Sequence, residues 1–472
     1  MRKLIRYGGG VAVVMGFVAA ASLAKAAEVK HNTPESWSGH MLASCCFGGD
    51  IRIREVHFNN IPIIADPPGY TRGGENHFFR FRTRLWGQYV PRETFTIKGR
   101  LVNEFRYFAD PDMSALPDVS SWAFPDELIV DKLYVEWKDL LNGKLMLKIG
   151  RQDLIYGTGK VILEGTPKDG SRTIYFDAVR AVVQVAEKCT VDVLGIYNQS
   201  ENVLSINDFN GEPDKRDVTG YDKGYNDNVE AGGGLYLKNQ MWEEMPFEAY
   251  YLYKDESSWD NYKGEKQPGR SIHTVGARLM PKLSDAGVDA NLEFAYQFGD
   301  DDDDNDLEGS MFDGVINWHL PVATDLKMVL GVGYYYLSGD DPNTSKDEGW
   351  DPLWARWPQY SELYVYAWDA ERAGWWSNLS MPHVDFSLIP WKGGKLKLLV
   401  GQMSAPEDDG PGDGDTRGIL ATARLDFTLA KGLLRENDRL FGHLTYEYFD
   451  PDDYYQVDRP AHFARWELSY VF

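Results

Sequence analysis

Beyond its first segment, the 472-residue chain has no run near the roughly 20 uninterrupted apolar residues that a membrane-spanning helix needs. Mean hydropathy is -0.43, which an averaged profile reads as a secreted soluble protein. Averaging hides barrel strands, which take only about ten residues of alternating polarity. Cysteine is scarce. Cys45, Cys46 and Cys189 are an odd number with two adjacent, so no disulfide framework is implied, although a bridge from Cys45 or Cys46 to Cys189 stays open. The nine histidines are scattered, and none stands with a Ser or Cys motif. A lipase or protease needs a nucleophile with a base in reach, so the chain is read as a non-enzyme. A net charge of -23 argues against a nucleic-acid partner. No Pro/Ser-rich linker divides the chain, which fits one large β architecture.

The N-terminus sets the compartment. Arg2, Lys3 and Arg6 precede an apolar run from Val11 to Ala21, and Ala24-Lys25-Ala26 offers a small-x-small cleavage site. This order reads as a secretory signal peptide over residues 1–27. Residues 28–49 follow as a periplasmic N-terminal segment, and 50–472 as a transmembrane β-barrel. Cys45 lies too far past the apolar run for a lipoprotein anchor.

From Asp50 onward one grammar repeats. Phe95, Ile97, Leu101, Phe105 and Tyr107 alternate with Thr96, Lys98, Arg100, Glu104 and Arg106. Phe79, Phe81 and Leu85 alternate with Arg80, Arg82 and Arg84. A period of two places such sets on opposite faces of a strand. Read this way, the chain is all-β, an antiparallel transmembrane barrel of about 18 strands, each ending in Gly, Pro, Asp or Asn. Connections after odd strands are long (Asn59–His77, Gln199–Val229, Gly339–Trp376), and those after even strands are short (Val90–Thr94, Glu187–Cys189, Pro390–Gly394). Long outer loops and short periplasmic turns are what a bacterial outer-membrane barrel shows. Trp466, Leu468, Tyr470 and Phe472 close the last strand on one face, resembling the C-terminal signal read by the barrel assembly machinery.

A bilayer decides which face each charge takes. Arg or Lys on the lipid face near midplane costs roughly 2–4 kcal/mol. The apolar sets therefore face outer-membrane lipid, and Arg80, Arg82, Arg84, Lys98, Arg100 and Arg106 point into the lumen. Parity sends Arg52, Arg54, Lys132, Lys148, Arg180, Arg278, Arg424 and Arg465 the same way, with Glu104 and other acids beside them. Some of these charges pair; the basic density on the second and third strands should still draw anions. Trp86, Tyr89, Trp137, Trp318, Trp391 and Trp466 read as an interfacial girdle. Trp350, Trp354, Trp357, Trp368, Trp375 and Trp376 gather in or beside one long loop, as a packed loop core or a sugar contact. The acids Asp300 to Asp304, Glu407-Asp408-Asp409 and Asp450 to Asp453 read as a solvated rim, with Ca²⁺ at these outer loops as the sharper expectation.

The stretch from Arg80 to Arg180 resembles the alginate-export family of outer-membrane porins. The likeness rests on Arg80-x-Arg82-x-Arg84, Glu104, Lys132-Leu133-Tyr134-Val135, Gly150-Arg151-Gln152 before Tyr156-Gly157, and Phe176-Asp177-x-x-Arg180. It implies an 18-stranded barrel with a positive constriction for an acidic polysaccharide. It also implies constriction roles for Arg80, Arg82, Arg84, Glu104, Arg151, Asp177 and Arg180. Alternation alone points Arg151 and Asp177 toward lipid, and Gly150 offers a bulge to re-aim Arg151. Where the alginate secretion channel has a long periplasmic loop late in the barrel, the turn Lys431–Asp438 is short. The expected function is a channel passing anionic or polar solutes, saccharides among them, through a basic lumen. The alternative is a structural or adhesive barrel with a closed lumen and ligand-binding outer loops.

Overall fold

Alternating β-branched and aromatic residues pleat with one apolar face, and a strand so patterned must cover both its edges to sit in lipid. The computed structural model describes residues 44–61, 75–110, 121–123, 128–163, 175–200, 204, 206, 228–260, 265–355, 358–363, 365, 376–408, 410–456 and 459–472. Signal-peptide residues 1–27, and Trp357, Trp368 and Trp375, lie outside them.

Eighteen strands form the wall. The first nine are β1 (Cys45–Asn59), β2 (Asn76–Arg92), β3 (Phe95–Asp110), β4 (Ile129–Asp139), β5 (Leu145–Gln152), β6 (Phe176–Ala186), β7 (Cys189–Asn198), β8 (Glu230–Asn239) and β9 (Phe247–Glu256). The rest are β10 (Arg270–Leu279), β11 (Val288–Asp301), β12 (Asp306–His319), β13 (Val329–Leu337), β14 (Leu379–Leu388), β15 (Gly394–Ser404), β16 (Thr416–Lys431), β17 (Arg439–Pro451) and β18 (Ala461–Val471). Each pairs antiparallel with the next. β18 returns to β1, with Glu467 opposite Arg54, and Phe472 exchanges backbone hydrogen bonds of 2.9 and 3.0 Å with Gly49. The ring closes without an edge.

Three expectations shift. The wall starts at Cys45, upstream of Asp50, because Cys45 to Gly49 pair with Tyr89 to Leu85 of β2. The thiols of Cys45, Cys46 and Cys189 are free, since β1 and β7 stand six strands apart round the wall. The outer loop read over Asp300 to Asp304 is a short hairpin end: Asp300 and Asp301 belong to β11, and residues 302–305 separate it from β12. The Asp301 carboxylate accepts from the backbone amides of Asp303 and Asn305, which favours this tight turn.

The outward face is an apolar band, with Ile97, Leu133, Ile149, Val179, Val193, Leu235, Val275, Phe294, Ile316, Val332, Val384, Val400, Ile419 and Leu444 exposed round the ring. The inward face has two levels. Toward the outer mouth apolar side chains prevail, with Phe58, Phe78, Phe108, Phe176, Ile196, Leu252, Leu337, Leu379, Leu420, Phe449 and Phe463 all buried in one cluster, and the charges among them, such as Lys254, Glu256 and Arg270, are paired. Two inward-folded loops fill that space. Val161, Ile162 and Leu163, after β5, meet Trp350, Leu353 and Trp354, after β13. A short parallel ladder of Ile162 with Trp354 and Leu163 with Ala355 joins the loops. Trp350, Trp354 and Trp376 thus form a packed loop core, at most 2 % exposed.

Candidate functional site

The periplasmic level of the lumen is charged. Register puts Arg52 opposite Arg82, Arg54 opposite Arg80, and Arg80 opposite Arg106. Like charges directly opposite repel, so such a wall stands only with interleaved carboxylates. Asp50 binds Arg84 at 2.7 Å and Arg82 at 3.2 Å. Glu104 binds Arg52 at 2.8 Å and reaches Arg80 at 3.7 Å, while Glu467 binds Arg54 at 2.6 Å. A bulge supplies another acid. Arg100 faces Lys132 but Leu101 faces Val130, so Asp131 is the extra residue, buried and bound to Arg100 at 2.6 Å.

These residues border a cavity of about 650 Å³. Ile389 and Gly393 of the β14–β15 turn and Gly394 at the start of β15 belong to its lining, which sets it at the periplasmic end. Eight cations line it (Arg52, Arg54, Arg82, Arg84, Arg100, Lys395, Arg424 and Arg439) against three carboxylates (Asp153, Asp426 and Glu467). Neither Nε nor Nη1 of Arg82 has a hydrogen-bond partner among the described residues, although that side chain is 8 % exposed. His443 also lines the cavity, and Arg465 Nε donates to its Nε2 at 2.9 Å. A ring nitrogen that accepts from a guanidinium cannot hold a proton, so His443 adds no charge.

Across the lumen, tyrosines satisfy the carboxylates instead. Tyr156 and Tyr250 donate to Asp192 and Glu293 at 2.7 and 3.0 Å, and Tyr236 donates to Glu248 at 2.7 Å. Burial raises the Tyr156 hydroxyl well above its ordinary range; Arg180 opposes the shift and Asp192 adds to it. Lys160, on the loop after β5, lies between the Tyr335 and Tyr360 rings at 4.0 and 4.3 Å and 3.4 Å from Asp313. Burial lowers its ammonium, with Asp313 opposing. Among the described residues no group of three or more His, Cys, Asp or Glu side chains is placed to hold a metal ion.

Of the residues singled out by sequence, Arg52, Arg54, Arg82, Arg84, Arg100 and Arg424 line the cavity together. Arg80 and Glu104 lie behind it, packed into the wall at 2 % and 6 % exposure. Lys98 is set over Trp86 at 4.5 Å, and Arg106 over Phe78 at 5.3 Å. Lys132 pairs with Asp153, and Arg180 with Asp192 at 2.7 Å. Trp86 shares the inward row of Arg84 and faces Arg100, so it is not part of a lipid girdle. Arg151 and Asp177 do not reach the lumen. Unbroken register pairs Arg151 with Leu133 and with Asp177, on the side of outward Leu133 and Ile149, and no bulge intervenes. Asp177 closes on Arg151 through two bonds of 2.9 Å, and the Tyr175 ring covers the guanidinium at 3.5 Å. Gly150 has φ +120°, and a Cβ there would meet Leu133 O at 2.3 Å, so its role is close backbone approach. Lys395 and Arg439 escaped sequence reasoning. The alternation Lys395-Leu396-Lys397 carried the signal for the first; Arg439 stands at the very start of its strand, where parity says little.

A family model described as alginate export matches residues 125–403, that is 403 − 125 + 1 = 279 of 472 positions. The chain belongs to the alginate-export family. Like that family it is a β-barrel of the bacterial outer membrane. Solved barrels share the fold. A BenF-like porin from Pseudomonas fluorescens Pf-5 is 12% identical over 91% of this chain and 99% of its own, with a TM-score of 0.55. OccK2 (OpdF) of Pseudomonas aeruginosa is 11% identical over 91% and 98%, also at 0.55. OpdK of Pseudomonas aeruginosa, solved with vanillate, is 13% identical over 90% and 98%, at 0.53. No curated protein matches the chain.

Proposed function

We propose that this alginate-export-family barrel is a channel, not an enzyme, and that it passes anionic or polar solutes, acidic saccharides among them. One observation carries the reading: eight cations line one cavity against three carboxylates, and even with Asp50, Glu104 and Asp131 bound behind four of those cations the acids stay in the minority. Such an excess in a low-dielectric wall concentrates anions and lowers their entry barrier. The carboxylate-bearing vanillate in OpdK fits the same chemistry. Its working partners would be outer-membrane lipid, the solute, and an assembly machinery that reads the aromatic last strand.

The experiment is a reversal potential across a planar bilayer in a salt gradient, repeated with uronate oligomers as blockers. Arg82→Glu with Arg100→Glu should invert the ion preference while heat-modifiable barrel migration persists. Because both arginines hold wall carboxylates, Lys395→Glu with Arg439→Glu serves as the milder pair. An anion preference unchanged in both pairs would sink the basic-lumen reading. A second reading, a closed barrel whose outer loops bind a partner, is favoured by the apolar filling of the outer lumen. Silence in the bilayer would favour it.

A further inference from the structure

The two ends of the barrel carry unlike charge. Among the described residues, the outer connections and the two strand residues beside each expose 15 carboxylates against two cations, Lys266 and Arg459. The periplasmic turns, taken the same way, expose eight carboxylates against ten cations. The outer acids come from separate connections: Asp260 after β9, Asp303 after β11, Asp340 after β13, Asp408 and Asp413 after β15, and Asp452 after β17. They are spread along the mouth rather than gathered at one place. Lys346, a partly covered cation of the same rim, is bound to Glu308 at 2.7 Å.

Between the two ends stands the apolar band, about 25 Å tall in an outer-membrane barrel. Exposed charges act over a Debye length, about 8 Å at 0.15 M salt and about 30 Å at 0.01 M. At physiological salt the acidic rim and the basic vestibule therefore do not cancel, and a solute meets them one after the other. The vestibule, with eight cations to three carboxylates, draws an anion in from the periplasmic side. The rim repels the same anion from outside.

We propose that the acids of the outer rim form an electrostatic barrier to anionic solutes, and that salt in the external medium sets its height. The proposal rests on the channel reading above. No ion has to settle at a particular carboxylate, because the solute meets the summed field of the rim. A passive channel has no preferred direction, so the barrier slows release to the outside as well as entry from it. External salt regulates passage both ways by shortening the reach of the rim. A neutral saccharide of the same size escapes that control.

Single-channel recording on the full-length barrel tests this, with trigalacturonate added first to one chamber and then to the other. At about 50 mM salt, interruptions of the current should be roughly tenfold more frequent from one side. Raising salt to about 1 M, where the Debye length is about 3 Å, should make them rarer from that side and commoner from the other. Asp300→Lys with Asp303→Lys should raise the frequency roughly threefold at low salt, from the rarer side alone. Asp408→Lys with Asp413→Lys, on another connection, should do the same. Anion-selective currents with salt slopes of one sign on both sides, with no interruptions, or with frequencies that neither pair changes would overturn the barrier and leave the channel reading intact. A current without anion preference, or no current, would overturn the channel reading and the barrier with it. If one pair loses heat-modifiable migration, the other pair and the wild-type slopes decide.

Discussion

The two levels of the lumen are built from the same strands, a few residues apart, and obey opposite rules. On β1 the inward row runs from Arg52 and Arg54 to Val56 and Phe58; on β2 it runs from Arg84 and Arg82 through Arg80 to Phe78. Below, the wall borders an open cavity, and charges face inward with Asp50, Glu104, Asp131 and Glu467 separating them. Above, the loops after β5 and β13 fill the space, and the inward row is apolar or carries paired charges. The difference lies not in the strands' geometry but in what fills the space they enclose.

The largest expected effect attacks the charged level. Lys395→Glu with Arg439→Glu removes two cations from the cavity and adds two acids, and should abolish or reverse anion preference in a salt-gradient reversal potential. A comparable charge change on the outer hairpin, Asp300→Lys with Asp303→Lys, should leave selectivity nearly unchanged. If it shifts selectivity as far, the two-level division is wrong. Next comes the apolar level. Trp354→Ala empties a fully buried site between Ile162 and the wall and should cost about 3–5 kcal/mol in urea unfolding. A loss under about 1 kcal/mol would mean the outer core is loosely packed. Tyr250→Phe deletes the donor to Glu293 and should cost about 1–3 kcal/mol, since the buried carboxylate loses a partner.

The smallest effect lies outside both levels, at the β16–β17 turn. Desolvation pushes the Asp438 carboxyl up, but the Tyr470 hydroxyl and the amides of Leu434, Arg435 and Leu433 outweigh it and hold it at about 2. A depressed folded value contributes stability above the unfolded carboxyl range, near 3.9, and loses it as pH falls through about 2. Amide exchange at Leu433 to Arg435 should therefore stay protected at pH 4 and accelerate toward pH 2. Asp438→Asn should speed exchange at neutral pH as well. Protection indifferent to both changes would remove Asp438 as the cap of that turn.

Much of the fold was legible in the chain because lipid leaves little choice. An arginine in an alternating strand must turn inward, and the long–short rhythm of connections orients the barrel; both hold strand by strand without knowledge of neighbours. Legibility failed where alternation stops being the deciding force. Asp131 enters the lumen through a bulge that no period announces. Arg151 stays on the outward side because Asp177 and Tyr175 shield it, a compensation set by strands distant in sequence. The tryptophans of the loop after β13 were visible as a cluster, but whether they faced solvent, solute or one another depended on how much space eighteen strands enclose.

Sequence alone therefore determined the strand count and the inward course of the basic rows, because each follows from local alternation against hydrocarbon. Only the tertiary structure decided which arginines meet in one cavity, that Asp351 and Glu362 bind arginines of β10 and β18, and that the tryptophans of the loop after β13 pack inside the barrel. Those depend on closure of the ring, which brings β18 beside β1 and sets the loops inside.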